Sequence, residues 1–328
     1  MKLFFYTLRD FDELACAKAF SKEFGIDFDY TSAYPDAENY KLAAGADGVC
    51  MTPCDMGGAM LERFASVGVR WILCRSIGYD HVDLDKAKAL GLRVSNVSYP
   101  PSGVANYAIM LMLMAQRKVK LLARHSAAQD FGLHGKLGKD ISTSTVGVIG
   151  TGRIGSTVVR HLSGFGCKIL AYDPYPNDDV RAHATYVDLD TLLAQSDAIT
   201  LHAPGLAENY HMLDSAAFAK MKDGVLLVNA ARGMLVDTEA LISAVESGKV
   251  GAAALDTIEN EADLYYRDLS RDVLPNRDRS VLMAFPNVIV SPHMAFYTAE
   301  DVRAMIFNSA GALLAFSRGE ETPFEARA

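Results

Sequence analysis

The chain has no apolar run long enough to cross a membrane. Its longest, YAIMLMLMA over residues 107–115, falls well short of the ~20 residues that a spanning helix needs. It also lacks any dense cluster of lysine and arginine. Its net charge is −8, and phosphate contacts need a basic surface, so nucleic acid is not an expected partner. The opening MKLFFYTLRD has neither the apolar core nor the small-residue cleavage site of a signal peptide. Cysteine is sparse: Cys16, Cys50, Cys54, Cys74 and Cys167. The odd count predicts reduced thiols and a cytoplasmic setting. Only Cys50 and Cys54 are close, and the MTP between them makes neither a CxxC nor a zinc knuckle, so no metal site is expected.

What is present is a regular alternation over 328 residues, enough for two domains with their own cores. Strand-like runs read KLFFY (2–6), IDFDY (26–30), DGVCM (47–51), VRWILC (69–74) and LRVSNV (92–97). Helix-like stretches between them stop at Gly25, Gly68 and Gly91. Such alternation predicts an α/β fold whose parallel sheet is covered on both faces. YPPSG at 99–103 interrupts it, because two prolines neither continue a strand nor sit inside a helix. We expect a hinge there, with Ser102 capping one long helix over 103–124. A second series follows: TVGVIG (145–150), KILAYD (168–173), AITLHAP (198–204), GVLLVNAA (224–231), VGAAALD (250–256) and NVIVSP (287–292). The polar stretch 259–279 is expected to be an ordered excursion at a functional edge.

VGVIGTGRIG sets Gly150, Gly152 and Gly155 in a GxGxxG pattern between an apolar strand and a helix. Gly150 permits a tight turn, Gly152 lets backbone approach a pyrophosphate, and Gly155 lets helix and strand pack closely. The next strand ends at Asp173, where a carboxylate can take a ribose 2′-hydroxyl and repels a 2′-phosphate. No arginine follows in DPYPNDD, so the expected cofactor is NAD.

Three polar side chains follow later strand ends: Arg232, Glu261 and His293. Alone, each reads as a solvated turn residue, a charged loop tip or a satisfied histidine. Together they suit one chemistry. Reduction of a ketone leaves an alkoxide that needs a proton, and histidine supplies one near neutral pH. A neighbouring carboxylate favours the imidazolium, raises its pKa and fixes the ring. Arginine grips a substrate carboxylate with two prongs. The set therefore points to a 2-oxo acid.

These segments, with RSIGYDHVD (75–83), NAARGMLVDTEAL (229–241), LDTIENE (255–261) and SPHMAFYT (291–298), resemble the NAD-dependent D-2-hydroxyacid dehydrogenases, in the D-lactate dehydrogenase branch. The vancomycin-resistance type is especially similar through NVSYPPSGVANYAIMLMLMAQRKVK. The resemblance covers nearly the whole chain. It implies two doubly wound parallel-sheet lobes, with the C-terminal helix returning to the first. One is a flavodoxin-like substrate domain of 1–99 plus 297–328; the other is a Rossmann NAD-binding domain of 100–296. It implies that Arg232 binds the substrate carboxylate, that Glu261 pairs with His293, and that His293 is the acid/base. Backbone N–H groups near Ile77 and Gly78 complete the carboxylate site, and Tyr99 and Phe296 wall the pocket. Arg153 and Ile154 cover the pyrophosphate. His202, Ala203, Pro204, Ala230 and Asp256 line the nicotinamide half, with Asp256 also tuning the dyad.

The implied reaction is reversible reduction of pyruvate to D-lactate with NADH; larger 2-oxo acids, of the 2-oxoisocaproate or phenylpyruvate kind, are the alternative. A homodimer through the 103–124 helix is implied too. Asn106 departs from the Glu common in relatives, and we expect it to affect helix packing more than chemistry. Two other readings fit less well. Formate dehydrogenases carry Gln where Glu261 stands, and NAD-sensing corepressors of this fold carry long flexible tails, whereas this chain ends soon after its last helix.

Overall fold

A computed structural model describes residues 1–326 apart from 262, 263, 265 and 275. It divides into two compact units, Met1–Pro100 with Tyr297–Ala328, and Pro101–Phe296.

The first unit opens with β1 (Lys2–Phe5), α1 (Leu14–Phe24), β2 (Asp27–Tyr30), β3 (Gly48–Met51), α2 (Gly58–Ser66), β4 (Trp71–Cys74), α3 (Leu84–Ala89) and β5 (Arg93–Ser95). These strands run parallel in the order β2-β1-β3-β4-β5. The apolar runs are unbroken because both faces are buried. Leu3, Phe5, Trp71 and Leu73 pack with Phe20 of α1 on one face. Phe4, Val49, Met51, Ile72 and Cys74 pack with Leu61 and Phe64 of α2 on the other. Gly25, Gly68 and Gly91 adopt φ of 63°, 91° and 69° at the helix ends, as expected of stops.

Beyond β4 the core contains a charge. Arg75 is 1% exposed, and its Nη2 donates to Tyr6 O, Thr7 O and Thr7 Oγ1 at 2.9–3.0 Å. Its Nη1 lies 3.4 Å from Oε1 of the buried Glu13, the same oxygen that Arg9 Nη2 approaches at 3.2 Å. Arg75 thereby anchors the start of the 76–78 loop. The three carbonyls of that loop are also held: Ser76 O accepts from Val97 N, Ile77 O from Asn96 Nδ2, and Gly78 O from Ser76 Oγ. Each peptide is planar, so pinning the carbonyls of Ser76 and Ile77 turns the N–H groups of Ile77 and Gly78 the opposite way.

The second unit begins with α4 (Ser102–Gln116) and α5 (Val119–Ala127). This corrects the expectation of one helix over 103–124. Lys118 takes a left-handed φ of 54°, and Lys139 N donates to Gln116 O, so a crossing segment captures the helix end. Ser102 is likewise not the cap. Pro101 precedes the helix with φ −71° and ψ −10°, already near helical values, and Ser102 is the first helical residue. Asn106 does act in packing, since its Oδ1 meets Nδ1 of His161 at 2.8 Å.

There follow β6 (Thr145–Ile149), α6 (Arg153–Ser163), β7 (Lys168–Tyr172), α7 (Asp178–Arg181), β8 (Thr185–Tyr186), α8 (Leu189–Gln195) and β9 (Ala198–Leu201). Then come α9 (Ser215–Lys220), β10 (Val225–Asn229), α10 (Thr238–Glu246), β11 (Val250–Leu255), α11 (Arg277–Ala284) and β12 (Val288–Val290). The parallel order is β8-β7-β6-β9-β10-β11-β12, the doubly wound dinucleotide-binding arrangement, which reverses direction between β6 and β9. Val146, Val148, Leu226 and Val228 face Ile109 and Met112 of α4 and Val158 of α6. Ile149, Leu201, Leu227 and Leu255 face Leu192, Phe218 and Leu241 across the sheet.

The chain then returns to the first unit as α12 (Ala299–Ser317), which buries Ile306, Leu313 and Phe316 beside Phe20. A short strand not anticipated from sequence, β13 (Glu325–Ala326), pairs antiparallel with β5. Arg93 grips Glu325 there, with Nε 2.8 Å from Oε1.

Arg75 offers a test of this unit. Arg75→Met strips two buried carbonyls of a donor and leaves Glu13 with one guanidinium. Loss of one partner from a buried pair costs about 3–5 kcal/mol, so the urea midpoint should fall sharply with an unchanged slope. A midpoint equal to that of the unmutated protein would show that Arg75 is dispensable for the fold.

Candidate active site

The reversal in strand order places the carboxyl ends of β6 and β9 side by side, the usual ligand crevice of such sheets. Gly150 ends β6 with φ 88°. A Cβ there would sit 2.6 Å from Ala203 N, so the His202–Ala203 backbone touches the turn directly. A Cβ on Gly155 would lie 1.9 Å from Gly150 O, the close helix–strand contact expected of that position. Gly152 caps α6 and has open space on its Cβ side. Arg153 and Ile154 form the first turn of α6, where unpaired N–H groups favour an anion.

Asp173 follows β7 and folds back on this loop. Its Oδ2 accepts from Thr151 N at 2.6 Å and Thr151 Oγ1 at 3.1 Å, and its Oδ1 from Tyr175 N at 2.8 Å. The carboxylate thus shapes the glycine turn, a task the sequence did not reveal. Tyr186 adds a bond from its hydroxyl to Thr151 Oγ1. His202 follows β9. Its Nε2 lies 2.9 Å from Thr200 Oγ1, and burial pushes its pKa down to about 4, so the ring is neutral at physiological pH. Its buried Nδ1 has no hydrogen-bond partner among the described residues. Ala203 is half-buried and Pro204 exposed on the same strand-end segment, and Ala230 is half-buried after β10.

Arg232 sits on a turn just past β10. Asn229, 1% exposed, builds that turn: its Oδ1 accepts from Ala231 N at 3.0 Å, and its Nδ2 donates to Arg232 O at 2.9 Å. The Arg232 guanidinium is half-buried, and its Nη1 donates to Ala231 O at 2.8 Å.

Asp256, just past β11, organises the next turn. It is 1% exposed; its Oδ1 accepts from Ser291 Oγ at 2.6 Å and Met294 N at 2.8 Å, and its Oδ2 from Ala295 N at 2.8 Å. Its own carbonyl accepts from His293 N at 3.0 Å. These bonds hold His293 at φ 53°, a conformation unusual for a bulky residue and one that clusters at functional sites. The resemblance implies a place for Asp256 beside the cofactor and the dyad; its carboxylate also forms this clamp. Tyr107 of α4 reaches the same place; its pKa is raised above the usual phenol value, chiefly by burial, against the opposing bond to Ser291 and with a smaller push from the Asp256 charge.

His293 Nδ1 lies 3.3 Å from Glu261 Oε1, and Glu261 Oε2 accepts from Ile258 N at 3.0 Å. The Phe296 ring stands edge-on to His293 at 6.5 Å and to Tyr266 at 6.1 Å. Tyr266 had no sequence signal beyond its place in the 259–279 excursion, of which 262, 263, 265 and 275 lie outside the described residues. Ile77, Gly78 and Tyr99 belong to the first unit and are half-buried there. Among the described residues, no cluster of His, Cys, Asp and Glu could hold a metal ion.

The glycine cradle gives a direct test. Alanine favours a helix over glycine by up to ~1 kcal/mol, so Gly155→Ala should help α6 if packing were loose. The 1.9 Å overlap predicts the reverse: weakened NAD binding, read by fluorescence titration, with the far-UV spectrum retained. Unchanged affinity would mean that this contact does not shape the loop.

A profile described as "D-isomer specific 2-hydroxyacid dehydrogenase, NAD binding domain" matches residues 109–295. The D-specific alpha-keto acid dehydrogenase of Enterococcus faecalis is 42% identical over 293 residues, 89% of this chain and 90% of that one. The D-lactate dehydrogenase of Escherichia coli is 38% identical over 328 residues, 99% of each. Among solved structures, a D-lactate dehydrogenase from Treponema pallidum superposes with a TM-score of 0.89 at 31% identity, covering 100% of both chains. The glycine cradle and the orphaned Nδ1 of a neutral His202 fit a dinucleotide at this crevice. The chain belongs to the D-isomer specific 2-hydroxyacid dehydrogenases, with NAD as its cofactor.

Proposed function

We propose that the protein reduces a 2-oxo acid, with pyruvate the preferred one, to the D-2-hydroxy acid with NADH, reversibly. The observation that carries this reading is the contact of His293 Nδ1 with Glu261 Oε1 on a turn of strained backbone. When bound, the nicotinamide donates or accepts the hydride. His293 gives a proton to the substrate oxygen in reduction and takes it back in oxidation, acting through Nε2 because Nδ1 faces Glu261. Glu261 orients the ring and offsets the imidazolium charge. Arg232 holds the substrate carboxylate, and Phe296 packs beside His293 and excludes water. Asp173 takes the adenosine ribose and disfavours a 2′-phosphate. Arg153 and Ile154 meet the pyrophosphate, while His202, Ala203, Pro204 and Ala230 flank the nicotinamide half. In these roles Met1–Pro100 with Tyr297–Ala328 serves as substrate domain and Pro101–Phe296 as NAD domain.

A second reading, a preference for a larger 2-oxo acid, is supported by the similarity to an aromatic 2-oxoacid reductase of Clostridium sporogenes, 37% identical over 311 residues, 93% of each chain. Initial rates with NADH and NADPH across pyruvate, 2-oxoisocaproate and phenylpyruvate separate the two. His293→Ala should cost ~10²–10⁴ in rate, and Arg232→Lys should raise KM for the acid by about tenfold while sparing NADH affinity. Near-normal turnover in His293→Ala would reject the mechanism.

We further propose a homodimer. Beyond α5, the apolar side chains of Phe131, Leu133 and Leu137 are 78–88% exposed, and a second copy would cover them. Light scattering should report twice the 35.6 kDa chain mass, and Leu133→Glu with Leu137→Glu should yield monomer. A monomeric unmutated protein would refute the dimer.

A further inference from the structure

A second histidine–carboxylate pair lies in the same unit, on segments that lead to Glu261 and Arg232. His211 Nε2 is 2.7 Å from Glu259 Oε1, and Glu259 stands two residues before Glu261. The other Glu259 oxygen accepts from Thr238 N at 3.0 Å and Thr238 Oγ1 at 2.7 Å, at the start of α10. His211 Nδ1 is 3.8 Å from Asp237 Oδ2, and the Tyr210 ring stacks on the imidazole at 3.8 Å. Backbone bonds reinforce the junction: His211 N donates to Met234 O, Leu213 N to Leu235 O, and Asp237 N to Leu213 O.

The pair therefore joins three segments: 210–213, 232–238 and 258–261. Two contacts pass its position on to the reacting groups. Glu261 Oε2 accepts from Ile258 N, so the backbone that Glu259 anchors also aims the Glu261 carboxylate. A Cβ on Gly233 would lie 2.1 Å from Ile258 C and 2.5 Å from Glu259 N, so the Arg232–Gly233 turn rests directly on that backbone. Asn260, between the two glutamates, takes φ 54°, and His211 itself takes φ 51°. Such backbone persists only where surroundings over-determine it. Asn276 Nδ2 adds bonds to Glu259 O and Asn260 O, both at 3.2 Å.

We propose that His211 and Glu259 are positioning residues for the reaction, aiming Glu261 at His293 and seating Arg232. This rests on the roles given to those residues under Proposed function. His211 acts through Glu261, so its loss lowers kcat, and through Arg232, so it raises KM for the acid. The glycine loop and Asp173 lie on other strand ends, so NADH affinity stays unchanged.

The test compares the unmutated protein with His211→Ala, His211→Gln, Glu261→Gln and the double variant His211→Ala/Glu261→Gln. Steady-state rates use the best 2-oxo acid of the panel, and NADH affinity and unfolding midpoint are measured for each. His211→Ala should lower kcat about tenfold or more, since small misplacements of reacting groups are costly. His211→Gln can donate from Nε2 to the same Glu259 oxygen and should recover most of the loss. In the Glu261→Gln background the kcat effect of His211→Ala should largely vanish, because coupled residues are non-additive. An equal kcat loss in both backgrounds, or no recovery by glutamine in a folded variant, would overturn the proposal. Absence of turnover in the unmutated protein with any 2-oxo acid would instead refute the function itself, and the positioning role with it.

Discussion

The candidate site depends on one buried carboxylate. Asp256 takes a side-chain hydroxyl and two backbone N–H groups from residues 291–295, and its carbonyl takes a third N–H. A buried carboxylate is tolerated when its oxygens are satisfied, and here the donors come from the turn it must shape. The left-handed backbone of His293 is the result. Without that clamp, β12 would run on past Val290 with no reason to turn its histidine toward Glu261.

The same device recurs at the other strand ends. Asn229 builds the turn that carries Arg232, and Asp173 folds back to hold the glycine loop. In each case a short polar side chain just inside the loop takes backbone groups that the sheet no longer pairs. The functional side chains project from turns whose shape is set by a neighbour three or fewer residues away, or by the adjoining strand. The parallel sheet supplies the rigid frame, since its strands are buried on both faces.

Much of this was legible in the chain. Alternating apolar runs announced two wound sheets, because strands covered on both faces must be apolar throughout. The glycine spacing announced the dinucleotide loop, because only glycine fits where a Cβ would strike Gly150 O or Ala203 N. Arg232, Glu261 and His293 were visible as three charge types at successive strand ends, and the resemblance of their motifs gave them roles. The break at Lys118 was not legible, because the apolar periodicity continues past it. What ends α4 is Lys139, distant in sequence, which takes the carbonyl of Gln116.

The sequence by itself determined the family, the doubly wound topology and the residue types available for hydride and proton chemistry. These follow from local periodicity and from motifs that are short and contiguous. Tertiary structure alone decided which oxygens face which donors. Asp256 reads in sequence as one more acidic residue at a strand end, and its partners lie 35 to 39 positions away. Glu259 and His211 are 48 positions apart and share no motif. Such pairings are set by strand order and by the direction each turn takes. A one-dimensional pattern does not encode them, because hydrogen bonds depend on distance and angle rather than on spacing along the chain.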